Sequence, residues 1–244
     1  MIQFYAPDIE ETPILPEGES AHCCRVLRKK EGDEITVTDG KGNRFNCRIT
    51  KAHPNHTEIE FISKESFPKE HGYNLTLAIA PTKNSDRMEW MAEKAVEIGV
   101  DMIVLLKCDR SERKTLRPER LEKVMVAAMK QSLSTHLPLL EEVTSLKKFM
   151  EQQQSDMQKF FGYCSEAYPR KELIKELKPG GEVVIMIGPE GDFSPQEVEA
   201  AVENGFIPVS FGEKRLRTET AGVFAVVAVN IINQLTQADY SFTG

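Results

Sequence analysis

Two loops decide how this chain is read. Ile187-Gly188-Pro189-Glu190-Gly191-Asp192-Phe193-Ser194 follows the apolar run Glu182-Val183-Val184-Ile185-Met186-Ile187. Phe211 to Gly222, reading FGEKRLRTETAG, follows Ile207-Pro208-Val209-Ser210-Phe211. Each apolar run reads as a buried strand, and each loop leads into a helix. In an open α/β sheet, the loops leaving the C-terminal ends of strands line the ligand crevice. Gly188, Gly191 and Gly212 allow close backbone approach to a ligand or a positive φ. Lys214, Arg215 and Arg217 set three cations beside the loops. The chemistry is expected here.

Just past the first loop, Ser194-Pro195-Gln196-Glu197 combines an N-cap, a proline at N1 and a glutamate at N3, the signature of a capping box. Val198, Ala201 and Val202 give that helix its apolar face, and Asn204-Gly205 ends it. The loop GPEGDF therefore arrives at a helix start, where backbone N–H groups face outward. Local pattern alone leaves open whether Gly-Pro-Glu-Gly is more than a tight turn.

Strand and helix alternate on either side. Leu75 to Ala80 reads as a strand covered on both faces. The next helix is capped by Asn84 or Ser85, carries Met88, Met91, Ala92 and Ala95 on its core face, and stops at Gly99. Met102 to Leu106 is a strand. Pro118 suits the N1 position of a helix whose apolar face is Leu121, Val124, Met125 and Ala128. Ser145 to Gln154 reads as an exposed helix, Lys159 to Cys164 as a strand, and Pro169 to Leu177 as a short helix. Thr218 or Thr220 caps the last helix. From Ala221 to Leu235 that helix is apolar almost all round, so it is buried or lies at a subunit interface.

Residues 1 to about 67 show short strands instead. Ile2 to Tyr5, Glu34 to Thr38, Arg44 to Ile49 and Thr57 to Ile62 fit a small barrel, with a hairpin loop at Asp39 to Asn43. Ser20 to Lys29 reads as a short helix carrying Arg25, Arg28 and Lys29. With His22, Lys41 and Arg44 these cations form a candidate RNA-binding face, although charge alone favours a solvated surface. Ser63 to Asn74 reads as a linker holding the domain boundary.

The 244 residues carry a net charge of −7, so bulk charge does not announce a nucleic-acid binder. The most basic stretch, Lys107 to Lys130, holds Arg110, Arg113, Lys114 and Arg117 just past a strand end, where cations hold phosphate. The five cysteines show no CxxC pair, which argues against a disulfide framework or zinc site and fits reduced cytoplasmic thiols. The apolar stretch Ala221 to Ile232 is shorter than the ~20 residues of a membrane span. GxGxxG after a strand, GxxxxGK[ST] and GxSxG are all absent. A dinucleotide fold, a P-loop enzyme and an α/β-hydrolase lose support.

At IGPEGDF and FGEKRLRTETA the sequence resembles the SPOUT-class methyltransferases, and more narrowly the 16S ribosomal RNA uracil-N3 methyltransferase family. Further matches are Val26-Leu27-Arg28, Asp86-Arg87-Met88-Glu89-Trp90, Lys94, Glu97 to Val100, Arg110-Ser111 and Gln131-Ser132. Three departures stand out. Asp192 occupies a position where the family has glycine, Lys214-Arg215 replaces Arg-Ile, and Leu133-Ser134 replaces Gly and a basic residue.

The resemblance implies an α/β fold: a PUA-like β-barrel over residues 1–70, then a SPOUT-like, trefoil-knotted domain with a mainly parallel sheet over residues 71–244. It implies S-adenosylmethionine as cofactor, held in the knot by Gly162 and Tyr163, by Ile187, Gly188, Pro189, Glu190 and Gly191, and by Phe211, Gly212, Leu216, Arg217, Thr218 and Ala221. It implies a homodimer that methylates N3 of a specific uridine in 16S rRNA of the 30S subunit; the residues themselves point to a cytoplasmic protein with no membrane span or metal site. Catalytic roles fall to Arg217 or Arg110 for charge stabilisation and to Glu190 or Glu97 for the proton, although either glutamate equally serves a structural role. RNA contacts fall to His22, Arg25, Arg28, Arg44, Arg110, Arg113 and Lys114. A non-catalytic RNA-binding module and a knotted methyltransferase for another RNA or position are the rivals. Binding of S-adenosylmethionine separates the first of these from the enzyme.

Overall fold

Alternating burial builds the N-terminal sheet. The computed structural model describes residues 2–69, 71–112, 118–165 and 168–240. The strands β1 (Gln3–Tyr5), β2 (Glu34–Thr38), β3 (Asn43–Lys51) and β4 (Glu58–Ser66) form a four-stranded sheet in that order. β1 runs parallel to β2, and the other pairs are antiparallel. Phe4, Val37, Phe45, Cys47 and Ile49 point to one face and close a core with Ile9 and Leu15. The hairpin between β2 and β3 is pinned by Asp39, whose carboxylate accepts the Lys41 and Asn43 amides. Val126–Leu137 belongs to the same compact unit as Met1–Glu70. Sequence pattern gave no sign of that excursion.

The helix expected over Ser20 to Lys29 is shifted and changes type. α1 (Glu17–Ala21) runs into a single π turn, His22–Val26, closed by the Leu27 N–H on the His22 carbonyl at 3.0 Å. Arg28 then takes φ 55°, so Lys29 lies outside the helix.

The second unit, His71–Met125 with Pro138–Gly244, is a layered α/β structure. Its strands are β5 (Tyr73–Ile79), β6 (Met102–Lys107), β7 (Leu139–Ser145), β8 (Gln158–Gly162), β9 (Lys171–Glu172), β10 (Gly181–Ile187) and β11 (Ile207–Ser210). They form one sheet in the order β7-β6-β5-β10-β8-β11-β9, parallel at every pairing. β5, β6 and β10 are buried almost throughout, as continuous apolar runs in a parallel sheet require.

The helices are α2 (Ser85–Ile98), α3 (Pro118–Gln131), α4 (Leu146–Glu151), α5 (Leu173–Glu176), α6 (Pro195–Glu203) and α7 (Thr218–Tyr240). Asn84 caps α2 by accepting the Asp86 amide, and Gly99 ends it at φ 122°. α6 carries the full capping box: Ser194 Oγ accepts the Glu197 N–H while the Glu197 carboxylate accepts the Ser194 N–H. α7 packs on α2 and β5.

Four further expectations need correction. The stretch read as a linker, Ser63 to Asn74, gives its first four residues to β4 and its last two to β5, because charged side chains suit the exposed side of a strand as well as a loop. β7 stands where no strand was read, because Leu-Leu-Glu-Glu-Val-Thr-Ser is too polar to signal one; it is an edge strand. The helix read as exposed buries Leu146, Phe149 and Met150 against the sheet. The segment read as a helix from Pro169 opens with the short strand β9 before the single turn of α5. The last helix is also longer than its apolar core. By length and composition Thr218–Thr236 would suffice to cross a membrane, and half of that stretch is buried inside the unit, as in a core helix.

Candidate active site

β8, β10 and β11 lie side by side and parallel, so the loops after their C-terminal ends converge. Together they bound a cleft of about 570 Å³, within the roughly 300–1,000 Å³ of small-ligand sites. Gly162, Tyr163 and Cys164 line it from β8. Ile187, Gly188, Pro189, Glu190 and Asp192 line it from β10. From β11 and the start of α7 come Val209 through Glu219 and then Ala221. Two glycines shape this lining, and the first is Gly212. It takes φ 102°, and the place of an added Cβ is open space. Gly162 is glycine for another reason: a Cβ there would stand 2.6 Å from the Phe211 ring.

The β10 loop is held from several sides. Asp192 N–H donates to the Pro189 carbonyl at 2.9 Å, so Pro189 to Asp192 is indeed a tight turn as well as a cleft wall. Thr218 Oγ1 donates to the Gly188 carbonyl at 3.1 Å. The Glu190 carboxylate accepts the Lys83 N–H at 3.0 Å, and the Glu190 carbonyl receives a long 3.4 Å contact from Arg215. Arg110 Nη1 donates to the carbonyls of Gly191 (2.9 Å) and Phe193 (3.2 Å). A loop with this many ties is preorganised, which matters where a reaction depends on positioning.

Twelve of the thirteen residues expected at the cofactor line the cleft; Gly191 is the exception and packs against Arg110 instead. The expected catalytic residues divide. Arg217 lines the cleft, is exposed, and has no side-chain partner among the described residues. Arg110 is not in the lining, and its guanidinium is spent on loop carbonyls. Glu190 lines the cleft but fastens a backbone amide, and Glu97 lies in the last turn of α2 paired to Lys94.

Of the expected RNA contacts, Arg25 and Arg28 are exposed, while His22 is half-buried edge-on to Phe4. Arg44 donates to the Leu133 carbonyl at 2.8 Å and lies over the Phe67 ring, so it holds its own unit together. Arg113 and Lys114 lie outside the described residues.

Sequence reading missed Arg87, Cys164, Arg170, Asp192 and Glu219, all in the lining. Glu219 is buried and faces Arg87 Nε at 3.6 Å. Arg170 Nη1 donates to the carbonyls of Tyr163 and Cys164, both at 3.2 Å. Burial first, then the Asp192 charge, pushes the Cys164 thiol above its ordinary value, against Arg215 and Arg170. Asp192 was marked by its glycine departure, and Arg87 and Glu219 by their places in the segments Asp86–Trp90 and FGEKRLRTETA; Cys164 and Arg170 carried no signal. Among the described residues no group of His, Cys, Asp or Glu could hold a metal ion.

A parallel α/β sheet with a cleft at three adjacent strand ends, after a small β-sheet domain, defines a class that known proteins share. The RNA methyltransferase domain model matches residues 69–230, and the RNA methyltransferase PUA domain model matches residues 15–62. The chain belongs to the RNA methyltransferase family. Within that family it is similar to ribosomal RNA small subunit methyltransferase E of Bacillus subtilis, at 26% identity over 98% of both chains. It is also similar to a probable rRNA-methyltransferase from Porphyromonas gingivalis, at 41% identity, with a TM-score of 0.92 over 97% of this chain and 100% of that one. A ribosomal RNA small subunit methyltransferase E from Neisseria gonorrhoeae, bound to S-adenosyl methionine, superposes with a TM-score of 0.83 at 28% identity, over 95% and 98% of the two chains.

Proposed function

We infer that this chain is an S-adenosylmethionine-dependent rRNA methyltransferase of the small ribosomal subunit, and that it methylates N3 of a specific uridine in 16S rRNA. The cleft carries the reading. It unites the loops after β8, β10 and β11, has the volume of a small-ligand site, and leaves open space at Gly212 where a side chain would stand. Backbone of Gly188, Gly212 and Leu216 would hold the cofactor, with Tyr163, Ile187 and Thr218 around it. Bound there, the cofactor supplies an electrophilic methyl group on a sulfonium.

The chain's own residues do the rest. The tied β10 loop and the start of α7 orient the reactants, which supplies much of the rate in a transfer of this kind. Uridine N3–H must lose its proton, which leaves negative charge on O2 and O4. Arg217, exposed in the cleft and with no described partner, stabilises that charge. Arg110 acts on the loop and not on the base. Glu190 holds the Lys83 amide; as a cleft carboxylate it is also the proposed proton acceptor.

Residues 1–70 are proposed as the PUA-like RNA-binding domain and residues 71–244 as the SPOUT-like methyltransferase domain. Arg25 and Arg28 are exposed for backbone contact. A trefoil knot fits the strand order, in which β10 lies between β5 and β8, and the Thr218 tie to Gly188. A homodimer fits the large apolar side chains left exposed on α2 and α7: Trp90, Ile231 and Leu235. A cytoplasmic location fits five unbonded cysteines. The test is methyl transfer from labelled S-adenosylmethionine to small subunits that lack the modification, followed by nucleoside mass analysis. A 3-methyluridine product is expected; another methylated nucleoside would refute the position.

A further inference from the structure

Asp192 joins two of the three cleft loops. β8 and β10 pair in register up to Gly162 opposite Ile187, where the ladder ends. Beyond that point, the Asp192 carboxylate spans the gap. Oδ2 accepts the Cys164 N–H at 3.1 Å, and Oδ1 accepts the N–H of its neighbour Phe193 at 2.9 Å. Hydrogen bonds to an ionised carboxylate are the stronger kind.

The backbone shows the same commitment. Asp192 stands at φ 62°, in the left-handed region that suits glycine. Aspartate enters that region more readily than other side chains because it bonds locally to the backbone. Cys164 is held at both ends: its N–H on Asp192 and its carbonyl on Arg170. Asp192 itself lines the cleft, as do Cys164 and Arg170.

We propose that Asp192 is a positioning residue that clips the loop after β8 to the loop after β10 and so fixes the cofactor cleft between them. The proposal rests on the reading of the cleft as the S-adenosylmethionine site. Asp192 touches backbone amides and does not take part in the methyl transfer.

The test uses full-length wild type, Asp192→Gly and Asp192→Asn. Glycine keeps the backbone conformation without strain and removes both acceptors. Asparagine tolerates the same φ and keeps one acceptor oxygen. S-adenosylmethionine is titrated calorimetrically into each, and amide hydrogen exchange at Cys164 is followed without cofactor. Asp192→Gly is expected to raise Kd about tenfold, the worth of one charge-assisted hydrogen bond. Asp192→Asn is expected to raise it less. In Asp192→Gly the Cys164 amide exchanges faster while the β10 amides keep their protection. A Kd in Asp192→Gly within about twofold of wild type overturns the clip. If the wild-type protein binds no S-adenosylmethionine, the reading of the cleft fails instead, and Cys164 exchange alone decides whether the clip exists: an unchanged rate overturns it.

Discussion

Removing one hydroxyl, at Thr218, probes how the last helix holds the β10 loop. Thr218 is 7% exposed, and its Oγ1 donates to the Gly188 carbonyl at 3.1 Å. Thr218→Val keeps the side-chain shape and deletes the donor. A typical hydrogen bond contributes about 0.5–1.5 kcal/mol net, and a buried partner left unsatisfied costs about 1–3 kcal/mol. The expected loss is therefore about 2 kcal/mol. A protein of this size loses about 2–4 °C of Tm per kcal/mol, so Tm should fall by about 4–8 °C. Gly188 lines the cleft, so affinity for S-adenosylmethionine should fall in parallel. Thr218→Ser keeps the hydroxyl and should retain most of both. Thermal unfolding and cofactor titration of the three proteins decide it. A valine variant melting within about 1 °C of wild type would show that the bond does not hold the loop.

Ser194→Ala loses both the cap on Glu197 and the 2.7 Å bond to Asp109; urea unfolding should show a loss of about 1–2 kcal/mol. Gly99→Ala forces a side chain onto φ 122° with its Cβ 3.0 Å from Tyr73 Oη, and the same assay should show a loss above about 1 kcal/mol. Maleimide should label the exposed Cys164 before the buried Cys23, Cys47 and Cys108, whose thiols burial pushes up to about 11, to about 12 and higher still. Asp192 raises the Cys164 thiol, so its removal increases the thiolate fraction at a given pH and should speed that labelling; mass spectrometry reads both effects. Arg217→Ala should fold and melt as wild type yet lose most methyl transfer, and near-normal activity would remove Arg217 from the site.

The central strands and the helix caps were legible because their signals are local. Continuous apolar runs mark β5, β6 and β10, while Asn84, Gly99 and the Ser194–Glu197 pair punctuate α2 and α6. The missed elements lack such signals. β7 is a polar edge strand, and β9 spans two residues. No periodicity tells that Val126–Leu137 joins the N-terminal unit. At the site, two loops were readable from glycines after strands, and the third, after β8, only from the family resemblance; the partners of their side chains were not readable. Arg110 and Arg44 look like free cations in the sequence; the fold spends both on backbone carbonyls.

The departures from the family pattern gain a physical meaning as well. Asp192 and Leu133 both stand at positive φ, 62° and 59°, where glycine costs least. Aspartate offsets that strain with two amide bonds. The Leu133 carbonyl is held by Arg44.

Methyl transfer from labelled S-adenosylmethionine to small ribosomal subunits that lack the modification tests the proposed activity most directly. Labelled 3-methyluridine in 16S rRNA is expected from the wild-type protein and should be largely lost with Arg217→Ala. No transfer, together with no binding of S-adenosylmethionine, would contradict the proposed activity.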